Sequence, residues 1–148
     1  MSPRRAVVAG TLALLACSAA AAGPEQDYIL NCMGCHGTEA QGVPGKIPPL
    51  ADSLTRFMRT AAGRNYVLRV PGAANSSLTD AELAAVLNWL AVNFNKDAPS
   101  GNPAASTPPF TRAEVSRYRR TPLVSVLAAR SEVVRQLAAT GPAPPAQY

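Results

Sequence analysis

Hydrophobic positions at helical spacing dominate the sequence, and the alternation typical of β-strands is never sustained over five residues between Tyr28 and Leu90. The clearest helix follows Thr79. The stretch Thr79–Glu82, "TDAE", is a capping box, in which the threonine side chain accepts a bond from a first-turn amide and the glutamate returns one. Behind it, four apolar side chains recur on one stripe: Leu83, Leu87, Leu90 and Phe94. This stripe predicts a helix packed on one face.

Two further helices are predicted in the same part of the chain. A short one carries Tyr28, Cys32 and Cys35 on a single face, and we expect it to pack against the capped helix. Another is expected over about 51–61, where three apolar side chains fall at i, i+3 and i+4: Leu54, Phe57 and Met58. The stretch 64–78, "RNYVLRVPGAANSSL", is interpreted as a loop. The fold class that follows is all-α.

The first 22 residues have the pattern of a signal peptide. A basic start at Arg4 and Arg5 precedes a short apolar run, and small residues precede Gly23, where cleavage is expected. The run is too short to span a membrane. An alternative is that "LLAC" is a lipobox, which would place a lipid anchor on Cys17. Either way the protein is expected to be exported, with a periplasmic location.

Four segments follow the signal peptide. Residues 23–95 form the first helical domain, 96–109 a linker rich in proline, serine and alanine, 110–140 a helical extension, and 141–148 a disordered tail. The formal net charge of the whole chain is +5, and the excess of basic residues after the signal lies in the last 53 residues, because the first domain is close to neutral. No basic motif interleaved with aromatic residues is present, so nucleic acid is not an expected partner.

The extension is expected to contain two helices. Thr111–Glu114 repeats the capping-box pattern, and Thr121-Pro122 predicts the start of a second helix that ends near Ala139. One side of this helix carries four apolar residues: Leu123, Leu127, Val134 and Leu137. A stripe of this kind needs cover. Either it packs on the first domain, or it docks on a redox partner whose acidic surface would bind the arginines around the stripe.

The stretch "NCMGCHG" carries the chemistry. After signal cleavage only Cys32 and Cys35 remain as thiols, and His36 is the single histidine of the chain, so a four-ligand zinc site cannot be built. A redox disulfide would be expected within a thioredoxin-like strand-helix pattern, which is not found here. Cys-x-x-Cys-His is the attachment motif of c-type haem. The sequence therefore predicts one covalent haem c, bound through thioethers at both cysteines, with His36 as an axial iron ligand.

Residues 25–95 resemble a small class I, single-haem c-type cytochrome. The resemblance is carried by the haem motif, by Pro48-Pro49-Leu50, and by the capped last helix with Trp89. It implies that the carbonyl of Pro48 or Pro49 accepts a hydrogen bond from Nδ1 of His36 and that Leu50 packs on the ring. It also implies an electron carrier rather than an enzyme. The expected partners are periplasmic redox proteins: a dehydrogenase, an oxidase or another cytochrome.

The distal side of the iron departs from the family pattern. Val70 stands where such cytochromes usually present a methionine, and a second histidine is impossible. Met58 is either the distal ligand or ordinary core, and an iron with an open distal position is the other main alternative. Weaker ligand candidates are Asn75, Asn65 and a lysine such as Lys46.

Three polar side chains in the stretch 64–78 are candidates for binding the haem propionates. They are Arg64, Tyr66 and Arg69, which would act through charge-assisted or ordinary hydrogen bonds unless they are merely solvated loop residues.

Two functions are therefore compared. The first is electron transfer by a covalent haem. The second is binding of a small ligand such as CO, NO or peroxide at an open distal position, for which Val70 is the motivation. Because the only histidine is assigned to the iron, no distal histidine is available to move protons in a peroxidase.

Overall fold

The computed structural model describes residues 22–95 and 107–145, and the prediction of an all-α fold is confirmed. None of the helices in these two ranges is long and apolar enough to cross a membrane. A single isolated antiparallel bridge joins Val43 and Ile47. The helices of the described residues are α1 (Pro24–Asn31), α2 (Met33–His36), α3 (Ser53–Met58), α4 (Ala61–Arg69), α5 (Pro71–Ala74), α6 (Asp80–Asn93), α7 (Arg112–Tyr118) and α8 (Val126–Ala138).

The helix α6 is the frame on which the N-terminal domain, residues 23–95, is built. Its capping box is confirmed: the Thr79 amide donates to the Glu82 carboxylate at 2.7 Å, and the Glu82 amide donates to the Thr79 hydroxyl at 3.3 Å. The predicted packing of α1 on α6 is also confirmed, since the rings of Tyr28 and Trp89 lie 5.6 Å apart. Phe94 completes this aromatic cluster, with its ring 5.4 Å from that of Trp89.

The stretch interpreted as a loop contains two helices, α4 and α5, so this expectation was wrong. Thr60 caps α4 by accepting a hydrogen bond from the Gly63 amide at 3.0 Å. Gly63 also lets α4 approach the end of α3 closely, because a Cβ at this position would lie 2.1 Å from the Phe57 carbonyl oxygen. The family resemblance implied a loop here, whereas α4 buries one of its sides, including Tyr66 and Leu68.

The C-terminal segment, residues 107–145, folds back on the N-terminal domain, which confirms the intramolecular alternative for its apolar stripe. Its helix α7 packs on α6 and α4, and α8 packs on α4 and α3. Thr111 caps α7 by accepting from the Glu114 amide at 3.1 Å. Instead of completing a capping box, the Glu114 carboxylate forms an ion pair with Arg64 of α4.

The start of α8 differs from the prediction. Ser125 caps the helix by accepting from the Ala128 amide at 3.2 Å, four residues after Thr121. The carbonyls of Thr121 and Pro122 accept bonds from Arg69, which ties the residues before the cap to α4 instead. The buried face also differs: Leu127, expected on the stripe, is 61% exposed, and the buried residues of α8 are Arg130, Val133, Val134 and Leu137.

Several predicted segments lie wholly or partly outside the described residues. These are the signal peptide up to residue 21, the linker residues 96–106, and residues 146–148. The first part of the predicted disordered tail is instead packed on the domain. Pro144 is fully buried, and the carbonyls of Pro142 and Pro145 accept bonds from Arg59 and Arg130. Prolines suit this path, because a residue without an N–H leaves no donor unsatisfied when it is buried.

Candidate haem site

A cavity of about 500 Å³ lies between the N-terminal domain and α8. This volume falls within the ~300–1,000 Å³ that is typical of cofactor and ligand sites. Most of the wall is apolar, and its largest aliphatic side chains come from α3, α4, α6 and the loop before α3: Leu50, Leu54, Val67, Val86, Leu87 and Leu90. A cavity of this volume and with this wall suits a large apolar group.

The three residues of the haem motif line one side of the cavity. The chain kinks at Cys32, between α1 and α2, and the His36 amide donates to the Cys32 carbonyl at 3.0 Å. This single turn brings Cys32, Cys35 and His36 to the cavity, with both cysteines as free thiols. Burial raises the pKa of the Cys32 thiol, and the charges of Asp27 and Cys35 raise it further.

The His36 ring is oriented by the loop that follows it. Its Nδ1 lies 3.0 Å from the Pro48 carbonyl oxygen. Because a carbonyl can only accept, Nδ1 is the protonated nitrogen and Nε2 keeps its lone pair for a metal. Burial lowers the pKa of His36, against the opposing effect of the bond to Pro48, which favours the neutral imidazole that iron coordination requires. Of the two prolines that the resemblance offered as acceptor, the structure uses Pro48, while Pro49 and Leu50 line the cavity.

The loop holding Pro48 is fixed by backbone contacts that require a glycine. The Gly42 amide donates to the His36 carbonyl at 2.8 Å, and the backbone of Gly42 has φ +69°. A Cβ there would lie 2.4 Å from the Ile47 carbonyl oxygen. The turn that positions the partner of His36 therefore depends on a residue without a side chain.

Another part of the cavity wall comes from the start of α5. Val70 occupies the N-cap position of this short helix, and the residues from Val70 to Ala73 all line the cavity. Met58 is 3% exposed on α3 but is not a lining residue, and neither is Met33. Within the two described ranges, the structure brings no thioether and no second imidazole to the wall.

Of the predicted propionate partners, only Tyr66 reaches the cavity. Its ring lies 5.2 Å from that of Phe57. Arg64 points instead to the C-terminal segment: it forms a two-bond ion pair with Glu114, at 2.5 and 2.7 Å, and lies over the Phe110 ring. Arg69 is likewise held by that segment. The sequence could not indicate this, because both arginines face a segment more than 40 residues away.

The weaker ligand candidates are also separated by the structure. Lys46 lines the cavity from the exposed loop before Pro48. Asn65 accepts a hydrogen bond from Arg69 at 3.0 Å, and Asn75 ends α5; neither lines the cavity.

Two cavity residues were missed because they belong to the C-terminal segment. Val126 and Arg130 of α8 both line the cavity. A signal for them existed in the sequence, since Arg130 lies four residues after Val126 and four before Val134, on what is the buried face of α8. An arginine at a position on the buried face of a helix indicates a charged side chain in the interior of the protein.

No family model matches the chain. It is similar, however, to two sequences named cytochrome c-552, both from Thermus thermophilus. Each is 31% identical over 123 residues, covering 70% of this chain and 91% and 80% of the respective relatives. The similarity extends over most of the length of both relatives, and the cavity presents the two thiols and the oriented imidazole that haem c requires. The chain belongs to the c-type cytochrome family.

Proposed function

We propose that this protein is an electron carrier holding one haem c, attached by thioether bonds at Cys32 and Cys35, with Nε2 of His36 as an axial ligand. The observation that carries the proposal is the placement of these three groups on one side of an apolar cavity of about 500 Å³. When bound, the haem supplies a one-electron Fe(III)/Fe(II) couple.

The residues around the motif support a carrier. Pro48 fixes the ring and the tautomer of His36, which orients the ligand and tunes the metal. The apolar wall excludes water and lowers the local dielectric constant, another factor that sets the potential of a haem. Because the only histidine is assigned to the iron, the proposed role is electron transfer without conversion of a substrate.

The proposal includes an exported location, in the periplasm, with a dehydrogenase, an oxidase or another cytochrome as redox partner. The signal-peptide pattern of the first 22 residues supports export. Cell fractionation, combined with the mass of the mature N-terminus, tests this. Cleavage before Gly23 is expected, a diacylated Cys17 would identify a lipoprotein instead, and an unprocessed cytoplasmic chain would contradict export.

An equilibrium redox titration followed by absorption tests the carrier. The expected result is a reversible transition that fits one electron per protein, accompanied by the sharp visible bands of reduced haem c. A double variant, Cys32→Ser with Cys35→Ser, should lose this signal. Purified protein that contains haem but shows no reversible one-electron transition would contradict the proposal.

A second function, binding of a small ligand such as CO or NO, is favoured by one observation. Val70 and its neighbours line the cavity where the family usually provides a methionine, and Met58 lies outside the wall. Ferrous protein is then expected to bind CO rapidly, and the ferric form to be high-spin. A low-spin ferric spectrum with a sulfur-to-iron charge-transfer band would contradict this second function and establish a methionine ligand.

A further inference from the structure

The C-terminal segment contributes a buried cation to the cavity. We infer that Arg130 of α8 binds a propionate group of the haem and thereby raises the reduction potential of the iron. The inference rests on the proposed function, since it requires the haem. It makes the C-terminal segment part of the haem site instead of an appendage to it.

The position of Arg130 is the main observation. The residue is 2% exposed and lines the cavity, although it is 94 residues away from His36 in the sequence. Its Nη2 donates to the Pro145 carbonyl at 3.0 Å, and its guanidinium carbon lies 5.3 Å from the centre of the Phe57 ring. These two contacts position the guanidinium at the cavity without the help of a bound group.

The chemistry of the haem supplies the matching anion. Haem carries two propionate carboxylates on an otherwise apolar ring, and burying a carboxylate is costly unless a cation or several donors are beside it. A guanidinium has five N–H donors in a planar fork, so it can bind a carboxylate and keep its bond to Pro145. An arginine suits such a buried position better than a lysine because it is less strongly hydrated.

A second cation, Lys46, also lines the cavity, but its setting differs. Lys46 belongs to the exposed loop between His36 and Pro48, where water and salt weaken its field. Arg130 is enclosed, so its charge acts through a medium of lower dielectric constant and has the larger effect on the iron. Ferric haem carries one more positive charge than ferrous haem. A buried cation that offsets the negative propionate therefore disfavours the ferric state.

The test compares Arg130→Gln with Arg135→Gln in the haem-loaded full chain. Arg135 is a matched control because it lies on the same helix, is largely exposed and pairs with Glu132. In Arg130→Gln we expect the ferrous-to-ferric ratio at a fixed applied potential to fall about tenfold, a shift of about 59 mV for one electron. The resonance Raman bending bands of the propionates should shift as well. Arg135→Gln should change the ratio less than twofold and leave these bands in place.

The outcomes separate this inference from the proposed function. Haem-loaded Arg130→Gln that matches Arg135→Gln in potential and in Raman spectrum would overturn the inference, whereas a wild-type chain without haem would overturn the function. If Arg130→Gln does not accumulate, Arg130→Lys replaces it. This variant keeps the charge but not the fork, so the propionate bands should shift while the ferrous-to-ferric ratio at the same applied potential changes less than twofold. Unchanged bands would overturn the inference.

Discussion

Replacing Arg119 by methionine should strongly destabilise the protein. Arg119 follows α7, is 6% exposed, and projects into the turn between α5 and α6. Its guanidinium donates to the carbonyls of Ala74, Ser76 and Leu78, at 3.2, 2.5 and 2.6 Å. It also reaches the Ser76 hydroxyl and, at 3.2 Å, the Asp80 carboxylate.

The magnitude follows from what the exchange leaves behind. A hydrogen bond to a charged group contributes about 1.5–3 kcal/mol, and a buried carbonyl that loses its donor costs about 1–3 kcal/mol. Water can reach part of this turn, because the Asp80 side chain is 15% exposed. Taking the low end for each of the three carbonyls, and little for the carboxylate, gives a loss of about 3–5 kcal/mol. This is a large share of the ~5–15 kcal/mol by which folded domains are stable.

Urea unfolding at neutral pH measures the effect. The single tryptophan, Trp89, packs in the aromatic cluster of α6, and its fluorescence should rise when the chain unfolds away from the haem. The control is Arg120→Met, which removes the neighbouring exposed arginine and should cost less than about 0.5 kcal/mol. A loss below about 1 kcal/mol in Arg119→Met, or one equal to that of the control, would refute the reasoning.

Three further results are expected. Gly63→Ala should lower stability by about 1–3 kcal/mol in the same urea assay, because the added Cβ meets the backbone oxygen of Phe57, and a wild-type midpoint would contradict the close approach. Glu82→Gln should lower the melting temperature at neutral pH. The bond to the Thr79 amide lowers the pKa of Glu82 in the folded protein, so its stabilisation is present above the unfolded pKa and is lost as the pH falls through the folded value; an equal difference at all pH values would contradict this. Met58→Leu should leave the ferric absorption spectrum unchanged, since Met58 does not line the cavity, and loss of a charge-transfer band would show that it binds the iron.

The parts of the site that could be predicted from the sequence are those set by local spacing. The haem motif occupies one turn, and the capping box of α6 spans four residues, so both follow from short-range geometry. The helix α4 was not predicted, because the resemblance implies a loop over 64–78 that carries the polar residues Arg64, Asn65 and Arg69. Those residues are explained only by the C-terminal segment that packs against them.

The role of the C-terminal segment could be predicted only in part. Its apolar stripe indicated that it must be covered, and the structure shows the cover to be α3 and α4. The stripe did not indicate that Arg119 donates hydrogen bonds to the backbone of the turn after α5, or that Arg130 reaches the cavity. Both contacts join residues that are about 40 or more positions apart, where helical periodicity carries no information.

The intact mass of the denatured protein tests the central claim most directly. The protein should be produced in a host that attaches haem to a control c-type cytochrome. The account predicts the mass of the mature chain plus one haem, and the mass of the chain alone when Cys32 and Cys35 are both replaced by serine. A wild-type mass without haem, or with haem that is lost on denaturation, would contradict it.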